Sequence, residues 1–506
     1  MNKMILAAVA VAVVAVAAAG AFVLMSDDGE VDETANYTGI SNSDELLAME
    51  ANGEYKLLND IDMNGVAWDV KDFSGKLDGK GFAIVDLSIA GSGDWGLFNV
   101  MSGKVNNLTM KDILVQGNAA GAIAVKNTGT ITNCKVTGEV IGSAKVGGIA
   151  SVNEGTISSC TNEADILGTG EEVGGIVGNS AVSVSDCKNL GDVTGLSKVG
   201  GIAGTSKGIS NSQNEGNIKS TAPASSLTRT GGVVGVSQGE IRGCTNRGNI
   251  TATASDSIRM GGIAGEISTN ADVKDNTNYG NVTGGNGVGG IAGLFTHSVP
   301  DAKNFISGNA NEGEISSSNF TGGIIGLVKF EGNINAELTI SGCENRAAAV
   351  LSSTKNHTGG IIGYIESAPA DTGTKAFIIG CSNKADMDIT TANTTVGGIV
   401  ATIWNINIDV TNCTNSGKLK AEGSVGGIIG NYNADTARSG TVSGCENTGD
   451  LTAANITGVV SKVGGITGQT IGTTTVTFSG CSSTGVLSGP FDTLFGKIVG
   501  NPNKDA

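Results

Sequence analysis

Residues 187–218 read CKNLGDVTGLSKVGGIAGTSKGISNSQNEGNI, and two signatures inside them decide the fold. Val199-Gly200-Gly201-Ile202 is the first. Cys187-Lys188-Asn189-Leu190-Gly191 is the second, and it returns as Ser212-Gln213-Asn214-Glu215-Gly216. Cys187 and Ile202 are 15 residues apart, Ile202 and Ser212 are 10 apart. A unit of about 25 residues, with three short apolar runs divided by Gly or Asn corners, is one turn of a parallel β-solenoid. The runs are rich in Val, Ile and Thr. Glycine pairs interrupt them, and each glycine would cost a helix about 1 kcal/mol, so a helical reading fails.

Outward from this stretch the glycine signature occurs eleven times, from Val146 to Val463. It alternates without exception with twelve copies of the other, at Cys134, Cys160, Cys187, Ser212, Cys244, Asn276, Asn309, Cys343, Cys381, Cys413, Cys445 and Cys481. The residues following Gly-Gly and Asn-x-Gly are expected to point inward and stack about 4.8 Å apart. Asn is expected at a left-handed corner, with its amide bonded to the Asn of the next turn as a ladder. Cysteines stacked in this way have Cβ atoms about 4.8 Å apart, whereas a disulfide wants about 3.8 Å. Nine free, buried thiols in a structural ladder are therefore expected, although the chain reads as exported. No Cys-x-x-Cys is present and there are only 2 histidines, so neither a metal nor a cofactor is expected.

The composition agrees with one repetitive architecture. The 506 residues include 80 Gly and only 5 Pro, with no strict triplet period, which excludes collagen. The formal net charge of −17 opposes nucleic acid as a partner. Residues 5–25 carry no charge and would reach roughly 30 Å as a helix, enough to span a bilayer. Residues 1–25 are thus read as a signal anchor or a cleaved signal peptide, and 26–38 as an acidic linker. Residues 39–506 are read as a single β-helix of about 14 rungs, roughly 65 to 70 Å long. Within it, 39–130 form the N-terminal cap and opening rungs, 131–488 the repeats and 489–506 the C-terminal cap. A helix from Ser43 to Glu50, capped by Ser43, is expected to cover the first sheet edge. Asp60-x-Asp62-x-Asn64-Gly65 begins like a calcium loop, but Lys71 stands where the bidentate Glu is needed, so a structural turn is expected.

The alternation of Val-Gly-Gly-Ile-x-Gly with Ile-x-x-Cys-x-Asn-x-Gly-x-Ile resembles the GLUG-motif repeats of adhesin-like surface proteins of bacteria and archaea. The opening segment fits the same group, with YKLLNDIDMNG from Tyr55, FSGKLDGKGF from Phe73 and VNNLT from Val105. The resemblance covers Tyr55 to the end of the chain. It implies a right-handed parallel β-helix displayed outside the cell. Some members carry a zinc protease domain, as in immunoglobulin A1 proteases. Neither His297 nor His357 lies in a His-Glu-x-x-His sequence, so that activity is not carried over.

Three consecutive turns are enlarged between the two signatures, ending at Asn309, Cys343 and Cys381. They hold Phe295, His297, Asp301, Tyr364, Glu366 and Asp371, with Trp404 in the next turn, whereas residues 99–278 contain no aromatic. Aromatics beside carboxylates suit sugar stacking combined with hydroxyl hydrogen bonds. These residues are the expected ligand-binding set, on loops standing outside the sheet, although the phenylalanines can equally pack the feet of the longer loops. The reading is a monomeric, non-catalytic cell-surface protein, not an enzyme. Tethered to its own membrane, it binds extracellular glycans or proteins. A polysaccharide lyase or glycosidase on the same scaffold is the alternative, by analogy of fold alone.

Overall fold

The computed structural model describes residues 34, 36–268, 271–454, 461–490 and 493–500. The apolar segment 5–25, most of the acidic linker and the tail beyond 500 lie outside the described residues. One representative turn contains the strands Ala150–Asn153, Thr156–Ser158, Thr161–Asn162, Asp165–Gly168 and Glu171–Gly174. The chain then begins again at Val177–Ser180. The first two strands belong to one sheet and the other three to a second, and each pairs in parallel with its counterpart one turn on. This is a parallel β-helix.

The register is the sequence repeat made physical. Val146 pairs with Val173, then Val199, Thr230 and Met260 in successive turns. On the other sheet Val184, Ile209, Ile241, Val273, Ile306 and Ile340 form one column. All are buried, and all but Thr230 are apolar. At about 25 cal/mol per Å² of buried apolar surface, each added turn stabilises its neighbours on both sides.

Asn162, Asn189, Asn214, Asn246, Asn278 and Asn311 face one another in the same way. Each donates its side-chain amide to the Oδ1 of the next, over 2.8 Å from Asn162 to Asn189 and 2.9 Å from Asn278 to Asn311. The ladder continues to Asn447, which donates to Ser483 Oγ at 3.2 Å. These asparagines are buried strand residues, not the corner itself. The left-handed position lies one residue before the Cys site in all twelve copies, for example Asn133 (φ 53°), Ser159 (φ 54°) and Gly243 (φ 64°). That corrects the expected place of the corner. Small or amide-bearing side chains tolerate such a φ best, which accounts for the Asn, Asp, Ser and Gly found there.

The glycine signature has its reason in the same ladder. A Cβ on Gly148 would lie 2.5 Å from Asn162 Oδ1, and one on Gly262 would lie 2.5 Å from Asn278 Oδ1. The second glycine clears the space that the Asn side chain occupies, so the two signatures are halves of one device.

The nine cysteines are free, eight of them buried and Cys481 partly exposed. Cys134 Sγ donates to the Thr132 carbonyl at 3.2 Å. Where Asn replaces Cys, Asn276 donates to Asn309 Oδ1 at 2.9 Å inside the same column.

At the start, the helix spans Ser43–Leu47 and its cap is Asn42, whose side chain accepts from Glu45 N at 3.0 Å. Glu45 in turn accepts from Ser41 N at 2.7 Å. The expected Ser43 cap is thus displaced by one residue, because Asn42 is extended and free to fold back. Leu46 and Met49 are buried in the core. The calcium-like stretch spends its carboxylates on backbone, with Asp62 accepting from Asn64 N and Asp60 from Ala83 N, both at 2.8 Å. No helix among the described residues is long and apolar enough to cross a membrane.

The enlarged turns differ from the expectation of loops outside the sheet. Their extra residues lengthen two strands of the first sheet, Ala292–His297 with Lys303–Ser307, then Ile325–Phe330 with Glu337–Ser341, then Ile362–Glu366 with Lys375–Ile379. These remain in register from turn to turn, as Lys303 with Glu337 and Glu337 with Lys375. The cross-section of the coil widens here, and the new interior needs large side chains to fill it.

Candidate functional site

Widening sorts the expected ligand-binding residues into two groups. Phe295, His297 and Asp371 are fully buried and have no surface to offer a ligand. Phe295 and His297 fill the enlarged interior, with the His297 ring 5.5 Å from Phe330 and 6.3 Å from Phe295. Burial lowers the His297 pKa and keeps the ring neutral. Asp371 accepts from Ser367 Oγ at 3.2 Å, Thr374 N at 3.2 Å and Ile334 N at 3.3 Å, and also from Thr374 Oγ1. Burial pushes this carboxyl up, but the hydrogen bonds outweigh it and leave the pKa below its ordinary value. Asp371 is therefore a lock on the segment Ser367–Thr374. Arg438 completes that lock, donating to the carbonyls of Pro369 (2.9 Å), Asp371 (3.1 Å) and Asn405 (2.8 Å). Asp301 is exposed and holds Asn335 Nδ2 at 2.9 Å, apart from the groove described next.

Tyr364, Glu366 and Trp404 do come together. Strand alternation turns Ile365 inward, so Tyr364 and Glu366 share the outer face of Ile362–Glu366. Lys329, Glu366 and Trp404 are in register on three successive turns, as are Leu327, Tyr364 and Thr402. Lys329, Glu366 and Trp404, with Glu331, Pro369 and Asn405, line an open groove of about 360 Å³, and Tyr364 lies beside it on the strand that carries Glu366. Lys329 is paired with Glu331 at 3.0 Å. Burial pushes the Glu366 pKa up, and Lys329 opposes that shift. A ring, a cation, an amide and a carboxyl with raised pKa thus share one open concavity.

Beside this groove lies a re-entrant corner. A Cβ on Gly363 would lie 2.9 Å from the Phe320 carbonyl carbon, so the strand Ile362–Glu366 comes close to the backbone of Asn319–Gly322 from the turn before. Phe320, His357 and Tyr364 meet across it, with ring centroids 5.4 Å apart for Phe320 and His357, 4.8 Å for Phe320 and Tyr364, and 5.1 Å for His357 and Tyr364. His357 Nδ1 is 2.8 Å from Thr402 Oγ1, and burial takes the ring's pKa down to about 4. Sequence reasoning missed Phe320, His357 and Lys329. A signal was present, since Phe320 and His357 both stand two residues before a Gly-Gly pair, where the preceding turns carry Glu172, Lys198, Arg229, Arg259 and Gly287. Among the described residues no group of three or more His, Cys, Asp or Glu is placed to hold a metal ion.

No family model matches the chain, and no curated protein matches it. Among solved structures the chain is similar to one at 1.30 Å resolution described as a "putative immunoglobulin A1 protease" from Bacteroides ovatus. The identity is 25%, over 47% of this chain and 78% of that one, with a TM-score of 0.37. A superposition so partial assigns no activity here. It does correct one expectation. A chain similar to a structure named for an enzyme is not to be set down as a non-enzyme, and that expectation is withdrawn.

Proposed function

We propose that this chain is an adhesin-like surface protein of the GLUG-repeat type, exported and membrane-tethered, that binds glycans or proteins through the widened part of its coil. The observation that carries the reading is the groove of about 360 Å³ in which Glu366, Lys329 and Trp404 lie on three consecutive turns. Turns about 4.8 Å apart present side chains at a spacing close to one sugar unit, so a polymer lying along the coil meets the same face repeatedly. The binding residues are Tyr364, Glu366 and Trp404 with Lys329, and the polar groups around the ring supply hydroxyl partners. Screening the purified protein against a glycan array tests this. Binding that Trp404→Ala abolishes while the thermal midpoint stays within a few degrees supports it, and binding indifferent to Trp404 defeats it.

Glu366 favours a second reading, a polysaccharide-cleaving enzyme, because a carboxyl with raised pKa beside a cation is suited to general acid work. Release of new chain ends from a bound polymer, lost in Glu366→Gln, is its signature.

A further inference from the structure

We infer that the corner formed by Phe320, His357 and Tyr364 is a subsite for an uncharged pyranose, one unit of the same glycan that crosses the adjoining groove. It rests on the glycan reading above and adds to it the place and the chemical class of the sugar.

The first observation is the backbone of Phe320. Its φ is +53°, left-handed as at the same place in the preceding turns, where Glu172 (φ 63°), Lys198 (φ 51°), Arg229 (φ 48°) and Arg259 (φ 68°) stand. The equivalent residue one turn earlier is Gly287, at φ +69°, since Val288 and Thr321 are paired in register. Glycine fits this place without strain, and the bend itself is a property of the repeat; what sets this turn apart is an aromatic ring where the earlier turns carry a charged side chain or glycine. Nothing in the core requires it, because the ring lies outside the coil against His357 and Tyr364.

The second is the hydrogen-bonding edge. Thr402 engages Nδ1 of His357, and Nε2 makes no hydrogen bond with any described residue. The hydroxyl partner can donate or accept, so Nε2 can be acceptor or donor in turn. A sugar hydroxyl has the same ambivalence. The three rings are half-buried and supply apolar faces for the C–H face of a pyranose.

The third is the sign of the surroundings. The Tyr364 phenol is pushed up by burial and further by the carboxylates of Glu366 and Asp435. Lys329, the cation in the groove, is already paired with Glu331. An acidic field beside a neutral imidazole suits an uncharged sugar and opposes a uronate.

Calorimetry with the full-length protein at pH 7 tests the inference, using neutral hexasaccharides of glucose, mannose, galactose and xylose and, as the anionic counterpart, hexagalacturonate. The expected result is binding of a neutral hexasaccharide in preference to hexagalacturonate. Phe320→Gly should weaken it about tenfold, equivalent to about 1.4 kcal/mol, with a thermal midpoint equal to or above that of the parent. His357→Ala should weaken it comparably. If Trp404→Ala abolishes binding while Phe320→Gly and His357→Ala bind as the parent does, the subsite is overturned and the groove reading stands. Preference for hexagalacturonate overturns the uncharged class. A parent that binds none of these sugars overturns the inference and the glycan reading together.

Discussion

Asn278 uses every polar atom of its amide. Its Nδ2 donates to the Gly280 carbonyl at 2.8 Å and to Asn311 Oδ1 at 2.9 Å, and its Oδ1 accepts from Asn246 Nδ2 at 2.8 Å. Replacing it with Ala leaves buried partners on both sides unpaired, so Asn278→Ala should destabilise the coil by about 1 to 3 kcal/mol, read as a lower urea midpoint. Gly262→Ala places a methyl against the same amide and should cost at least as much. A midpoint unchanged in both variants would show that the ladder is ornamental. The thiols give a second test at this scale. Burial pushes Cys244 up to about 12, so this thiol carries almost no thiolate at neutral pH, and burial closes the column to reagent. Alkylation without denaturant should modify Cys481, which is partly exposed, and spare the other eight until the protein is unfolded. Rapid labelling of more than one thiol would contradict the closed column.

At the scale of the strand, the widened turns show what a sequence does and does not reveal. The alternation of Val199-Gly200-Gly201-Ile202 with Cys187-x-Asn189 suffices to place both sheets and the amide ladder, because each turn repeats one local solution and the register follows. The lengths of the enlarged turns are equally legible. Their direction is not: eight to ten extra residues can stand outside a sheet or prolong it, and only the inward or outward phase of each residue decides. Phe295, two turns of alternation away from a glycine corner, falls on the inner phase, and so does His297, whereas Asp371 is buried within the connection between two strands. The corner at Phe320 and His357 was hidden for a different reason, since its residues lie 44 positions apart at most in sequence and meet only by the stacking of turns. Acid should probe these elements. His357 is neutral in the fold down to about pH 4, against about 6.5 unfolded, so protons favour the unfolded chain and stability falls as pH drops through that window. His357→Gln should flatten the loss, by up to about 3 kcal/mol. A slope identical to the parent's would place the proton elsewhere. Asp371, held below its ordinary value, contributes stability present above about pH 3.9 and lost as pH falls through its folded value. Asp371→Asn should therefore loosen the Trp404 environment at neutral pH and remove that last acid step, followed by tryptophan fluorescence.

For the whole molecule, the repeated contacts of the columns and the amide ladder are with the turn before or the turn after, and Arg438, which reaches two turns back to Pro369 and Asp371, is an exception. Val184 and Ile209 occupy the same place in consecutive turns, so excising residues 184–208 should bring Ile157, Ile209 and the amides of Asn162 and Asn214 into register. The shortened protein is expected to stay soluble, keep its β-sheet circular dichroism and melt within a few degrees of the parent. Removing about half of that turn sets corners against strands and should yield aggregate. An equal outcome for both deletions would defeat the account. The amide ladder adds something that the apolar columns lack, which is a direction. Every link donates towards the C-terminal end, from Asn162 through Asn447 to Ser483. Peptide-like dipoles aligned head to tail reinforce one another, as they do in a helix. The interior of this rod is therefore electrically polarised along its length, with the positive pole at the Ser483 end and the negative pole at Asn162. A line of uncharged side chains gives the two ends of the coil opposite electrical character, and a break anywhere along it splits one long dipole into two short ones.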